Sequence, residues 1–197
     1  YTEYRCDDAF WLFPTVAQYI KETGNLRFLD EVIPYSDKGE DTVYEHLRKA
    51  LLFSLERLGK HGLVLGLDAD WNDCLRLGEE GESVFASFQL LLGLKIFKEF
   101  AEKKNLEVDI NWSKKEIEKL QANLQKWAWE GDRFVRAFNG DEVIGSKNCK
   151  EASFWLNPQS WAILSGCATN EQAKIILDNV QKILNTDYGA MICYPPF

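Results

Sequence analysis

What most constrains the fold is a repeated helix-start signal. Three Ser/Thr-x-x-Glu/Gln boxes, Thr42 to Glu45, Ser113 to Glu116 and Thr169 to Gln172, each precede a run whose apolar residues recur at three and four positions. Such a box satisfies two otherwise orphaned backbone donors reciprocally, so it marks a helix N-terminus. The first predicts a helix carrying Val43, Leu47, Leu51, Ser54 and Leu55, ended by Gly59 or Gly62. The second precedes Ile117, Leu120, Leu124 and Trp127, and the third opens "TNEQAKIILDNVQKILN". Three further helices follow from periodicity alone. One runs from Asp8 through Trp11, Leu12, Val16, Tyr19 and Ile20 to a stop at Gly24. Another opens at Ser83, passes Phe85, Phe88, Leu92 and Ile96, and fades into the charged, solvated "EFAEKKNLEVD". The last is "NPQSWAILSG". Only "RFVRAF" and "EVIG", flanking "NGD", break the pattern, and they predict a β-hairpin on an Asn-Gly turn.

The expected fold class is therefore all-α with a small β-hairpin excursion. The first five helices begin at intervals of roughly 30 to 45 residues, which suits antiparallel helical pairs stacked about an axis. Toroidal α/α barrels and α-solenoids both satisfy that spacing. A chain of 197 residues with 46% apolar content can bury a sizeable core. The net charge of −8 is spread without a basic stripe, which excludes nucleic acid as an expected partner. No apolar stretch approaches the ~20 residues that span a bilayer, and no leader-type segment is visible, so no membrane partner is expected. Five cysteines, Cys6, Cys74, Cys149, Cys167 and Cys193, are odd in number and widely spaced. They read as reduced thiols of a cytoplasmic protein.

Carboxyls concentrate in one place, "DADWNDC" at residues 68 to 74, within a long connection from Gly59 to Glu82. Long polar loops on helical scaffolds are where chemistry is placed. The plain reading is an Asp/Asn turn whose side chains bond local backbone N–H groups. Calcium is a second reading, since Asp68, Asp70, Asn72 and Glu79 fall at positions 1, 3, 5 and 12 of an EF-hand loop; but Asp73 occupies the required glycine and no helix enters. A magnesium–diphosphate site pairing this cluster with Asp7 and Asp8 lacks the helical carboxyl spacing that such sites use. The expected metal content is none. A fourth reading is sugar chemistry: Trp71 offers an aromatic floor for a pyranose, and Asp73, between Trp71 and the Cys74-Leu75 pair, is best placed as an acid kept protonated by apolar neighbours.

At these residues the sequence resembles glycoside hydrolase family 94, the inverting disaccharide phosphorylases. The likeness lies in "HGL…ADWNDCLRLGEEGES", "YRCDDAFWLFPTVAQYIKETGN", "TVYEHLRKAL", "WEGDRFVRAF" with "IGSK", and "FWLNPQSWAILSG", in the family's order over nearly the whole chain. The resemblance implies that residues 1–197 form part of a catalytic (α/α)6 barrel, with the family's N-terminal β-sandwich and C-terminal remainder absent from this chain. It implies inverting phosphorolysis of a β-linked disaccharide, cellobiose-type, to an α-sugar 1-phosphate and free sugar. "DDAFWL" leans instead toward the N,N′-diacetylchitobiose branch. Position by position, Asp73 matches the family's general acid, Trp71 its sugar-lining tryptophan, and Arg5 and Asp8 the residues gripping that sugar's hydroxyls; Asp70 and Asn72 shape the turn. The implied partners are the disaccharide and inorganic phosphate as co-substrate, with no other cofactor; a homodimer is left open. The family's phosphate site draws on histidines and a Thr-Gly pair expected beyond Phe197. Of the two histidines present, His46 reads as structural and His61 as a builder of the loop. An inverting hydrolase or a sugar-binding module on the same scaffold are the alternatives.

Overall fold

The structure, a computed structural model, describes residues 5–197; Tyr4, at the head of the "YRCDD" stretch, lies outside the described residues. Among the described residues the fold is mostly helical, as expected, but carries four small sheets where a single β-hairpin was expected. Six α-helices are α1 (Leu12–Thr23), α2 (Val43–Leu55), α3 (Val84–Lys104), α4 (Glu107–Asn123), α5 (Leu156–Leu164) and α6 (Asn170–Asn179). Strands β1 (Val32–Pro34) and β2 (Glu40–Thr42) pair as a hairpin leading into α2. Strands β3 (Glu82–Ser83), β4 (Ala137–Asn139) and β5 (Glu142–Ile144) form a three-stranded antiparallel sheet. Later strands β6 (Phe154–Trp155), β7 (Asn185–Thr186), β8 (Gly189–Ala190) and β9 (Cys193–Tyr194) make the pairs β6–β9 and β7–β8.

Helix α3 is the centre. Its buried residues include Val84, Phe88, Leu91, Leu94, Ile96 and Phe97, which lie all round its circumference, and α1, α2, α4 and α5 pack against it. A helix that is apolar all round must be enclosed by its neighbours. Thr42 caps α2, its hydroxyl accepting from Glu45 N, and Thr169 and Gln172 form the full reciprocal box at α6. Gly24 closes α1 with φ +68, a left-handed conformation suited to glycine.

Three helix expectations need correction. Ser113 does not start a helix: α4 begins at Glu107, and Ser113 sits buried in its interior. The boundary was hidden because α3 ends on Asn105, which takes the left-handed conformation (φ +57) that glycine usually marks. The face of α1 is also displaced, since Phe10, Phe13, Ala17 and Ile20 are buried while Trp11, Leu12 and Tyr19 are exposed. Likewise Trp127 is exposed where the run after Leu120 widens into the π-turn Leu124–Ala128.

The predicted hairpin exists, with Gly140 and Asp141 as its two turn residues and Gly140 at φ +61. It is not an excursion. Through Glu82↔Phe138 and Ser83↔Ala137 it is sewn to the end of the connection between α2 and α3. That connection is itself stitched by Gly66 N to Gly81 O at 2.8 Å and Ser83 N to Val64 O at 2.8 Å, with Leu63, Val64 and Leu77 buried beneath it. Gly81 is obligatory, because a Cβ there would lie 2.2 Å from Leu77 O. All five thiols are free, and no helix of the described residues is long and apolar enough to cross a membrane.

Candidate functional site

The stretch 70–75 is two overlapping Asx turns. Asn72 N donates to Asp70 Oδ1 at 2.9 Å, and Cys74 N donates to Asn72 Oδ1 at 3.1 Å, while Leu75 N reaches Asn72 O at 2.9 Å. Asp70 and Asn72 thus spend their side chains on the backbone. Asp73 is left at the crest with its side chain 71% exposed. The expectation of an apolar neighbourhood for Asp73 is therefore corrected: its side chain is largely exposed to solvent, and its partner is a cation.

That cation is Arg5, whose Nη1 donates to Asp73 Oδ1 at 2.5 Å. Sixty-eight residues separate the two. They meet because the segment at Arg5 runs along the loop, bridging Leu67 and Ala69, with Cys6 N on Ala69 O at 3.0 Å. Trp71, 49% exposed, stands two residues before Asp73 with much of its indole open to solvent. Asp8 is exposed in the 3-10 turn Asp8–Trp11 that precedes α1. So the structure joins Arg5 to Asp73 and leaves Trp71 and Asp8 as exposed groups on the same two segments. A cavity of about 440 Å³ lined by Leu67, Asp68, Arg76, Gly78 and Glu79 flanks the loop.

Behind the crest lies a polar interior that the sequence reading did not find. Asp70 is buried, and its carboxylate also accepts from Arg136 Nη2 at 2.7 Å and from Ser83 Oγ at 2.7 Å. Arg136 belongs to "FVRAF", where a lone charge in an apolar run was the available signal for a buried pair. Asp7 is buried too, and accepts from Trp11 Nε1 at 3.0 Å. Burial, more than the opposing Trp11 bond, raises its pKa above the usual carboxylate value, with Asp70 adding to the rise. Burial and then the charges of Asp70 and Asp7 push the Cys6 thiol up, while Arg136 pulls it down, so these four side chains share one poorly solvated interior.

The other end of the loop hangs on Glu82. Its Oε1 accepts from His61 N and Leu63 N, both at 3.0 Å, and Oε2 meets His61 Nδ1 at 2.5 Å. Glu82, directly before α3, is fully buried and ties residues 61 to 63. His46 meets Ile33 O at 2.9 Å and lies against Tyr35. Among the described residues no three His, Cys, Asp or Glu side chains stand together in a way that could hold a metal ion. Asp70 and Asn72, two of the EF-hand-like positions, direct oxygens to Arg136 and to Cys74 N.

The Asp73 carboxyl and the Trp71 indole on the loop, with the Arg5 guanidinium on the segment beside it, bring together charged groups and an exposed ring, a combination suited to sugars, which offer hydroxyls to the charges and C–H faces to the ring. The family model "Glycosyl hydrolase 94 superfamily, catalytic domain" matches residues 1–197, and the chain belongs to that family. It is 38% identical to N,N′-diacetylchitobiose phosphorylase of Vibrio proteolyticus and 37% identical to solabiose phosphorylase of Paenibacillus borealis. Cellobionic acid phosphorylase of Neurospora crassa is 32% identical. Each alignment takes in 97% of this chain but 24%, 26% and 25% of the respective relative, so the chain spans about a quarter of their length. A GH78 family rhamnosidase of Bacillus sp. GL1 superposes with a TM-score of 0.68 at 14% identity, over 93% of this chain and 18% of that one, a likeness of fold.

Proposed function

We propose that the complete polypeptide is an inverting phosphorylase of β-linked disaccharides and that this chain supplies part of its (α/α)6 barrel, including the proton donor. The observation that carries the reading is the Arg5–Asp73 contact at the exposed crest beside Trp71. In this reading Asp73 protonates the glycosidic oxygen as the C1–O bond breaks, and phosphate attacks C1 from the opposite face. The products are an α-sugar 1-phosphate and a free sugar, and the carboxylate regains a proton from solvent. Trp71 stacks on the non-reducing sugar, and Arg5 and Asp8 take its hydroxyls. One acid suffices, whereas an inverting hydrolase needs a second carboxylate at ~6.5 to 9.5 Å to activate water. The phosphate-holding groups belong to the part of the polypeptide outside this chain. No metal takes part, and the five unpaired thiols support a cytoplasmic setting.

For the substrate, the similarity of "NDCLRLGEEGES" and "NPQSWAILSG" to the family's cellobiose branch supports cellobiose. A second reading, N,N′-diacetylchitobiose, is favoured by "DDAFWL" and by the 38% identical relative of that name. The deciding assay incubates the complete polypeptide with each disaccharide, with and without inorganic phosphate and with a chelator. Sugar 1-phosphate formed only with phosphate, and undiminished by the chelator, is the expected result. Sugar released without phosphate would mean a hydrolase, and binding without product a sugar-binding module. Asp73→Asn should lower phosphorolysis by several powers of ten with a near-normal thermal transition; near-native turnover rejects Asp73 as the donor.

A further inference from the structure

Arg136 is fully buried, and its guanidinium lies over Phe85 and Trp155, with 5.4 and 5.5 Å to the ring centroids. Its backbone is held on both sides, Arg136 N donating to Ile144 O at 2.7 Å and Val84 N to Arg136 O at 3.3 Å. Gly145 closes over it, since a Cβ there would stand 2.8 Å from Arg136 N. The guanidinium has two polar engagements among the described residues, Nη2 on Asp70 Oδ1 at 2.7 Å and Nη1 on Ser83 Oγ at 3.3 Å; Nε has none. A buried ion pair is a poor source of stability, because desolvating both ions offsets most of their attraction and an apolar pair of equal volume would serve as well. What an apolar pair cannot supply is an acceptor in a fixed place. Asp70 Oδ1, the oxygen that Arg136 holds, is the one that accepts Asn72 N at 2.9 Å and so closes the first of the two turns beneath Asp73.

We infer that Arg136 is a positioning residue for the proton donor: held on the β3–β4 sheet 66 residues from Asp70, it fixes the Asp70 carboxylate, which fixes the turn at Asn72 and with it the direction of the Asp73 carboxyl. The inference rests on the proposed role of Asp73. Ser83 shares the task, since one hydroxyl donates to Asp70 Oδ2, accepts from Ala86 N and caps α3, coupling the turn to the central helix.

The test uses the complete polypeptide and three variants: Arg136→Lys, which keeps the charge and loses the planar fork; Asp70→Leu with Arg136→Met, which replaces the pair by apolar groups; and Asp73→Asn as reference. Arg136→Lys should lower kcat by about 100-fold, the scale of a misplaced catalytic group, with KM for phosphate within about two-fold. Hydrogen exchange at the amides of residues 72 to 75 should quicken in the same variant. The apolar double variant should regain the thermal transition while kcat stays low and exchange stays fast. Native kcat in Arg136→Lys, or recovery of kcat together with stability in the double variant, would reduce Arg136 to a packing residue. Should the double variant not fold, Arg136→Gln takes its place, with slow exchange at 72 to 75 again counting against the inference. Near-native turnover in Asp73→Asn overturns the donor assignment instead, and leaves the exchange measurement to judge the Arg136 contact separately.

Discussion

Asp7 and Asp8 are adjacent in the sequence and have opposite surroundings, which shows how little residue type alone says about chemistry. Asp8 is exposed, as its proposed role on sugar hydroxyls requires, whereas Asp7 is buried against Trp11 Nε1. Burial raises the Asp7 pKa above 3.8, so the folded protein holds that proton more tightly than the unfolded chain does. The stability it contributes is full at low pH and is lost as pH climbs from about 3.8 through the raised folded value. Asn at this position cannot ionise and still offers an oxygen to Trp11. Asp7→Asn should therefore gain on the wild type as pH rises from about 4 to 7. Melting temperatures taken across that range would show the two curves diverging, and parallel curves would mean Asp7 ionises without cost. Asp132 works in the other direction, its pKa lowered chiefly by the Arg133 hydrogen bond, but it is common to both proteins and cancels from the difference.

At the scale of elements, what the sequence made legible was set by local signals, and what it hid was set by contacts between distant segments. The caps at Thr42, Ser83 and Thr169 act within one helical turn, so α2, α3 and α6 begin where the residues say. The join between α3 and α4 was illegible because Asn105 did the work of a glycine and Ser113 imitated a cap. Asp73, Trp71 and the turn-forming Asp70 and Asn72 could be read from seven residues. Arg136, Ser83 and Glu82 could not be read as supports, since their partners are Asp70, 66 and 13 residues away, and residues 61 and 63. One feature of the long connection had a readable trace, the glycine at position 59. A Cβ there would meet Glu82 Cγ at 2.4 Å and Cδ at 2.5 Å, and Glu82 cannot yield because three hydrogen bonds hold it. Gly59→Ala is expected to cost about 1 to 3 kcal/mol through this overlap. Chemical denaturation would measure it, and an unchanged midpoint would show that Glu82 has room to move.

For the molecule as a whole, α3 joins the site to the body of the fold, and its two ends have separable duties. Its N-terminal end carries Ser83, whose hydroxyl donates to Asp70 Oδ2, and Ser87, whose hydroxyl accepts from Val64 N, and the two anchor the long loop. Farther along, Phe97 is fully buried with the Tyr44 ring at 4.7 Å and the Trp112 ring at 6.0 Å, between α2 and α4. At 1.5 Å per residue Phe97 stands about 21 Å from Ser83, beyond the distance at which substitutions couple. Phe97→Ala removes a core ring and is expected to cost about 3 to 5 kcal/mol. If body and site are independent in this way, kcat/KM measured well below the thermal transition should stay within about two-fold of wild type. Combined with Arg136→Lys, the losses in activity should equal those of Arg136→Lys alone, and the losses in stability should add. A fall in kcat/KM for Phe97→Ala at a temperature where the protein is folded would mean that the outer half of α3 is coupled to the loop, and that the geometry at Asp73 depends on the packing of the entire helical body instead of on the sheet and turn beneath it.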